Sequence, residues 1–403
     1  MTKLLIALLF TSIAFSQTKQ DIKEARERRD KFLFAVEASP KKFSGTVKFD
    51  YVHDEIIIPV TINGKTYNFL FDTGAVTIVS PELAAELGLK PVTANDVIDA
   101  AGIKTQQQIY MLEHLAVSGT TFSKVSCASM SFDSFSTALC RKIDGLFGTN
   151  IMRLGNWKID YNSHSIDFSS ERIKPGFDYN TVAFQHNFSD SPVVTLIAGG
   201  IRFPALIDSG NNTFIDIPDT LYRQSRLPKT ALSRKSQGRA SFSLSGNKNQ
   251  EERAVLTDSL YFGDVLLLKQ RLRVSPSPQI LIGNKFLKQF GKVLLSWDKS
   301  KIYVPRQTAP LEKKYDFGFT PFIENGKIVV VEIWEGSEAQ SKGMSINDVI
   351  LSVNGLDARE MTQETWCKFL SLIRGADSAT VEILKPDGSK MSLQLERSEL
   401  LKN

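Results

Sequence analysis

FLFDTGAVTIVS, from Phe69 to Ser80, sets one acid, Asp72, between an apolar strand and a Thr-Gly pair. Taken alone, Asp-Thr-Gly is good turn chemistry, since Asp and Gly both suit tight turns. A second stretch changes its meaning: ALIDSGNNTFIDIP carries Asp208, Ser209 and Gly210 in the same local setting. Further landmarks recur with the two acids. Gly64 precedes Asp72 by eight residues, and Gly200 precedes Asp208 by eight. Gly148 of LFG follows Asp72 by 76 residues, and Gly283 of LIG follows Asp208 by 75. The endings NWKIDYNSHSIDF and LSWDKSKIYV also correspond. A repeat of this kind indicates two β-rich lobes that each donate one carboxylate.

Local patterns agree with β-rich lobes. From Ile56 the run IIIPVTI, then Asn63-Gly64, then KTYNFLF reads as a hairpin that delivers Asp72, because Asn-Gly supplies the two positive φ angles of a tight turn. Ser80-Pro81 is a cap followed by Pro at the first helical position, which predicts a helix ending at Gly88. A turn centred on Ala101-Gly102 follows.

The whole chain has 403 residues, 42% hydrophobic and 23% charged, an ordinary globular composition with room for about two or three domains. The formal net charge of +5 is mild, and without a dense basic block no nucleic acid is implied. Residues 1–16 read as a secretory signal peptide: Lys3, an apolar run from Leu4, and Ala14-Phe15-Ser16 before Gln17. That run is short for a bilayer span, so the expectation is an exported protein, periplasmic or secreted, with no membrane span once processed. Residues 17–44 form a charged segment expected to be a solvated helix.

Cys127, Cys140 and Cys367 are the three cysteines. Export permits a Cys127–Cys140 bridge with Cys367 free; three buried thiols are the alternative. Neither they nor His53, His114, His164 and His186 have metal-ligand spacing, so no metal or other cofactor is expected.

The paired Asp-Thr-Gly and Asp-Ser-Gly motifs with their LFG and LIG elements resemble the aspartic protease family over roughly residues 45–304. The resemblance implies two homologous β-barrel lobes, 45–178 and 179–306, facing each other across a cleft. Asp72 and Asp208 would be the catalytic pair acting on peptide or protein substrates. Thr73 and Ser209 would bond across the pair, and Gly74 and Gly210 would let the backbone turn beneath the acids. Two features depart from pepsin-like enzymes. Ala75 and Asn211 follow the triplets, and the candidate flap around Asp99 to Gly102 has no Tyr at its tip. A compact, retroviral-like version in a single chain is therefore expected. An acid-protease fold that only binds peptide is the alternative. A serine protease is not supported, since no G-x-S-x-G occurs.

Beyond a Pro-, Thr- and Lys-containing linker, residues 312–400 resemble a PDZ domain, an α+β module. Phe317-Gly318-Phe319 sits where that family has its carboxylate-binding loop, and Glu364 to Arg374 supplies the flanking helix. The resemblance implies a peptide ligand added as a strand. Pro321 weakens the pairing edge and the helix has no His near its start, so the expected recognition is weak and apolar. The alternative is a domain packed on the lobes.

Overall fold

The computed structural model describes residues 29–98, 104–238, 250–306 and 315–401, with short pieces at 3–4, 23, 26–27 and 241–242. Residues 5–22, which hold most of the signal-peptide stretch, and the linker residues 307–314 lie outside the described residues. The architecture is mainly β. In the first lobe β1 (Ser44–Lys48) leads to β2 (Glu55–Ile62) and β3 (Lys65–Phe71). The turn between β2 and β3 holds Asn63 at φ 50° and Gly64 at φ 79°, the two positive values its sequence anticipates. Helix α1 (Pro81–Glu86) begins where Ser80 Oγ accepts a hydrogen bond from the Leu83 amide at 3.0 Å, a side-chain cap. There follow the hairpin β4 (Pro91–Ile98) and β5 (Lys104–Val117), then β6 (Thr120–Ser129), α2 (Asp133–Leu139), β7 (Gly145–Phe147), β8 (Asn156–Asp160) and β9 (Ser165–Ser169).

The second lobe uses the same order: β10 (Tyr179–His186), the hairpin β11 (Pro192–Ala198) and β12 (Ile201–Ile207), then β13 (Ile215–Pro218) after the second acid. The hairpin β14 (Leu232–Gly238) and β15 (Gln250–Phe262) stands where β4–β5 stands in the first lobe. Strand β16 (Val265–Ser275), β17 (Leu281–Ile282), α3 (Asn284–Lys288), β18 (Lys292–Ser296) and β19 (Lys301–Pro305) complete it. A six-stranded sheet in the order β1-β9-β8-β18-β19-β10 joins the lobes. The two corresponding sequence endings meet here, with Trp157 opposite Leu295 and Ile159 opposite Val293. Above it one apolar core runs through both lobes, from Phe69, Phe147 and Trp157 to Ile207, Phe262 and Phe286.

The C-terminal domain contains β20 (Phe319–Glu324), β21 (Lys327–Trp334), β22 (Val349–Val353), α4 (Gln363–Gly375), β23 (Ser378–Leu384) and β24 (Lys390–Glu396) around its own core of Phe317, Ile350, Trp366 and Phe369. It is fastened to both lobes. Strand β21 pairs antiparallel with β14, Ser236 opposite Trp334 and Gly238 opposite Glu332. On the other side Trp366 Nε1 donates to the Thr137 carbonyl at 2.9 Å. Phe322 packs into the first-lobe cluster of Ile57, Ala75 and Phe132. Arg374 lies against His53.

The cysteine pairing differs from both sequence expectations. Cys140 is bonded to Cys367, and Cys127 is the free thiol. The reason is orientation. Cys127 points from β6 into the lobe core, whereas Cys140, in a left-handed conformation at the end of α2, meets the first turns of α4. The bridge therefore closes a loop with a sequence separation of 227 and ties two domains together.

The Cys140→Ser/Cys367→Ser double variant is expected to fold, because the strand pairing and the Trp366 and Phe322 contacts remain, and to lose about 2–4 kcal/mol of stability. Truncation after Arg306 is expected to abolish the single cooperative unfolding transition, since it uncovers the β14 edge and the Phe132 cluster together. Denaturant unfolding checks both; lobes that unfold as cooperatively without the C-terminal domain would contradict the second.

Candidate active site

Each acid sits just past the end of the returning strand of a hairpin. Strand β7 runs parallel to β3, with Phe147 opposite Phe71, and β17 runs parallel to β12, with Ile282 opposite Ile207. The Asp72 amide donates to the Phe147 carbonyl at 3.0 Å, and that of Asp208 to the Ile282 carbonyl at 2.9 Å. The LFG and LIG elements thus support the two acid loops from equivalent positions.

The loops interlock. Thr73 Oγ1 donates to the Ile207 carbonyl at 2.8 Å and accepts from the Ser209 amide at 3.0 Å. Reciprocally, Ser209 Oγ donates to the Phe71 carbonyl at 2.7 Å and accepts from the Thr73 amide at 3.0 Å. Both hydroxyls are fully buried, so each satisfies one donor and one acceptor that burial would otherwise leave unpaired. Glycine is required by the closeness of the acids. A Cβ on Gly74 would stand 2.7 Å from Asp208 Oδ1, and one on Gly210 would stand 2.4 Å from Asp72 Oδ2. Each glycine is therefore packed against the other lobe's carboxyl.

Asp72 and Asp208 are themselves buried. The Gly74 amide donates to Asp72 Oδ1 at 2.7 Å and the Gly210 amide to Asp208 Oδ1 at 3.1 Å, while the two Oδ2 atoms have no hydrogen-bond partner among the described residues. Burial pushes both carboxyls above the usual range. For Asp208 the charge of Asp72 pushes further the same way; for Asp72 the amide of Gly74 and the side chain of Asp208 push back. This is the pattern of two carboxyls holding one proton between them, a property of the pair.

Several residues at the site escaped the sequence reading. Asn150 Oδ1 accepts from the Thr77 amide and hydroxyl, each at 2.8 Å, and Asn284 Nδ2 donates to the Ser209 carbonyl at 2.5 Å. Their position just after the LFG and LIG glycines was the available signal. Asn211 does not reach the acids: its Nδ2 donates to Asp216 Oδ2 at 2.9 Å. Asp216 in turn holds Arg273 through Nε at 2.6 Å and Nη2 at 2.8 Å. Ala75 faces Ile57, Leu70 and Ile78 in an apolar cluster. Strand β2 adds a third carboxyl, Glu55. Continuing the β2–β3 register, in which Ile57 faces Leu70, brings Glu55 level with Asp72. It is wholly buried and neither carboxyl oxygen has a partner among the described residues. Burial, then Asp208 and Asp72, push its pKa well above the ordinary range.

The flap candidate corresponds to the β4–β5 hairpin, whose tip, residues 99–103, lies outside the described residues. In the C-terminal domain Phe317 and Phe319 are buried in the core. Gly318, at φ 88°, gives its amide to Asp316 Oδ1 at 2.9 Å, so this loop amide is already engaged within the domain. Helix α4 is bonded to the first lobe near its start, through Trp366 and Cys367.

A family model described as aspartyl protease matches residues 58–151, which include Asp72, and a PDZ domain model matches residues 307–384. The chain thus carries an aspartyl protease domain and a PDZ domain; Asp208 lies outside both matched stretches. No curated protein matches the chain. Among solved structures, an aspartic proteinase from Irpex lacteus superposes with a TM-score of 0.43 at 11% identity, covering 67% of this chain and 98% of that one.

Glu55 gives a test of the site's electrostatics. An unfolded Glu releases its proton near pH 4.3, whereas folded Glu55 keeps it. The stability that Glu55 contributes is therefore full below about pH 4 and is lost as pH rises toward its raised folded value. Glu55→Gln, which cannot ionise, is expected to be more stable than wild type at pH 7, the gap closing at pH 4. Urea unfolding at the two pH values measures it; a variant less stable at pH 7 would mean that Glu55 is buried as a charged group.

Proposed function

We propose that this chain is an exported aspartic endopeptidase that hydrolyses peptide bonds with a water activated by Asp72 and Asp208. The ionised member of the pair takes a proton from water as the oxygen attacks the carbonyl carbon. The protonated member gives its proton to the carbonyl oxygen. The tetrahedral product then collapses: the C–N bond breaks, the amine leaves with a proton from the pair, and one hydroxyl of the product gives its proton back to the pair as the carboxyl forms. The observation that carries this reading is the reciprocal packing of each glycine against the opposite acid within the Thr73–Ser209 interlock. A fold kept only to bind peptide has no need of two facing carboxyls that burial holds above the usual range.

The protease and PDZ domain matches support peptide or protein substrates. Export is supported by the pattern of residues 1–16 and by the Cys140–Cys367 bridge, since such bridges persist in oxidising compartments. Among the described residues no helix is long and apolar enough to cross a membrane. For the PDZ domain, attachment to both lobes favours regulation or support of the protease over a loosely tethered recognition module.

Asp72→Asn and Asp208→Asn are each expected to lower hydrolysis of an unbiased peptide mixture by about a thousandfold or more, while leaving the protein folded. Because burial raises both acids, the shared proton is kept at higher pH. The alkaline limb of the pH–rate profile is therefore expected well above about pH 4, where ordinary carboxylates ionise. Substantial turnover by either single variant would sink the shared-proton mechanism, and activity confined below that pH would contradict the raised acids.

A further inference from the structure

A line of buried polar side chains crosses six paired strands, from the PDZ domain to the loop of the second acid. It begins at Thr320 on β20, whose Oγ1 donates to Glu332 Oε2 at 2.6 Å. Glu332 on β21 accepts from Ser236 Oγ on β14 through its other oxygen at 2.7 Å. Ser236 stands opposite Glu252 on β15 in the ladder. Glu252 lies 3.5 Å from Arg273 Nη1 on β16. Arg273 forks onto Asp216 on β13. Asp216 Oδ2 finally accepts from Asn211 Nδ2 at 2.9 Å and Thr213 Oγ1 at 3.0 Å, both in the loop that carries Asp208.

Every member of this line is buried. Burial alone works against a charged Arg273, but the carboxylates of Asp216, Glu252 and Glu332 outweigh it and hold the guanidinium charged. Inside a protein such a chain is costly when one partner is removed, because the remaining charge is left without compensation. Here one of the three carboxylates around the guanidinium comes from the PDZ domain. The Asn211 side chain is also locked at both ends: its Oδ1 accepts from the Thr213 amide at 2.9 Å while its Nδ2 is held by Asp216. Its main-chain amide donates to the Asp208 carbonyl at 3.1 Å. A shift of Asp216 therefore displaces the loop one residue away from the catalytic triplet.

We propose that Glu332 of the PDZ domain and Arg273 of the second lobe are positioning residues for the Asp208 loop, so that the β21 strand is a working part of the active-site framework. The proposal rests on the reading of Asp72 and Asp208 as a catalytic pair. Neither positioning residue touches substrate. They act by holding Asp216, which holds Asn211 and Thr213. Displacement of the second acid alters the approach of water more than it alters the fit of the peptide, so the loss falls on kcat.

The test compares Glu332→Gln, which keeps the shape and removes the charge, with Cys367→Ser, which loosens the same domain away from the polar line. Glu332→Gln is expected to lower kcat about fivefold to tenfold with KM within about twofold, and to speed hydrogen exchange at the Asn211 and Thr213 amides about tenfold. Cys367→Ser is expected to reduce stability while leaving kcat and those two amides unchanged. Unchanged kcat and exchange in Glu332→Gln overturn the proposal, as does the same loss of kcat in Cys367→Ser, which would mark a general loosening. If Glu332→Gln does not fold, Thr320→Val, which removes one donor to the carboxylate, carries the same expectation at about threefold. If wild type shows no hydrolysis that depends on Asp72 and Asp208, the enzymatic reading falls, and the exchange of the two amides decides the positioning role by itself.

Discussion

The reciprocal bonding of Thr73 and Ser209 is the constraint on which the rest of the structure depends. Each hydroxyl is buried at the boundary between the lobes, with its donor and acceptor needs met by the opposite chain segment. Buried polar groups tolerate few alternatives, because an unpaired one costs about 1–3 kcal/mol. The lobes can therefore meet in only one register at this point. That register brings glycine against carboxyl on both sides and sets each acid within reach of the other's charge. The six-stranded sheet below enforces the same register from outside, since β8 of one lobe pairs with β18 of the other over five residues.

The electrostatic character of the site follows from that geometry. Two carboxyls withdrawn from water repel each other more strongly than they would at a surface, and the cheapest state is one in which a proton stays with the pair. Glu55 extends the argument to a third carboxyl on the neighbouring strand. Its burial without a partner favours its neutral form, and its own charge would compete with the pair for the same proton.

The PDZ domain is joined to this centre by a continuous sheet, β20-β21-β14-β15-β16-β13, and to the first lobe by the Cys140–Cys367 bridge. The strand it engages, β14, belongs to the second-lobe hairpin that stands where the β4–β5 hairpin stands in the first. Strand pairing covers an edge that would otherwise offer unpaired amides to other chains. A domain held in this way shares the mechanical state of the lobe beneath it, which distinguishes it from a module on a flexible tether.

Much of this was legible in the residues themselves. The hairpin turn at Asn63-Gly64, the cap at Ser80-Pro81 and the helix α4 depend on interactions within a few positions, so local chemistry was enough to find them. The two acids and their hydroxyl neighbours were found because the chain states them twice, at matching distances from matching glycines. The partner of Cys140, the neutrality of Glu55, the turning of Asn211 toward Asp216 and the reach of Glu332 to the Arg273 cluster were decided only by the tertiary structure. Each depends on what stands opposite a side chain after the lobes and the C-terminal domain have docked. Cys127 lies 13 residues from Cys140 in the chain, yet the sulfur that meets Cys140 comes from a sequence separation of 227. Local sequence sets backbone preference, and the environment of a buried side chain is set by segments remote from it.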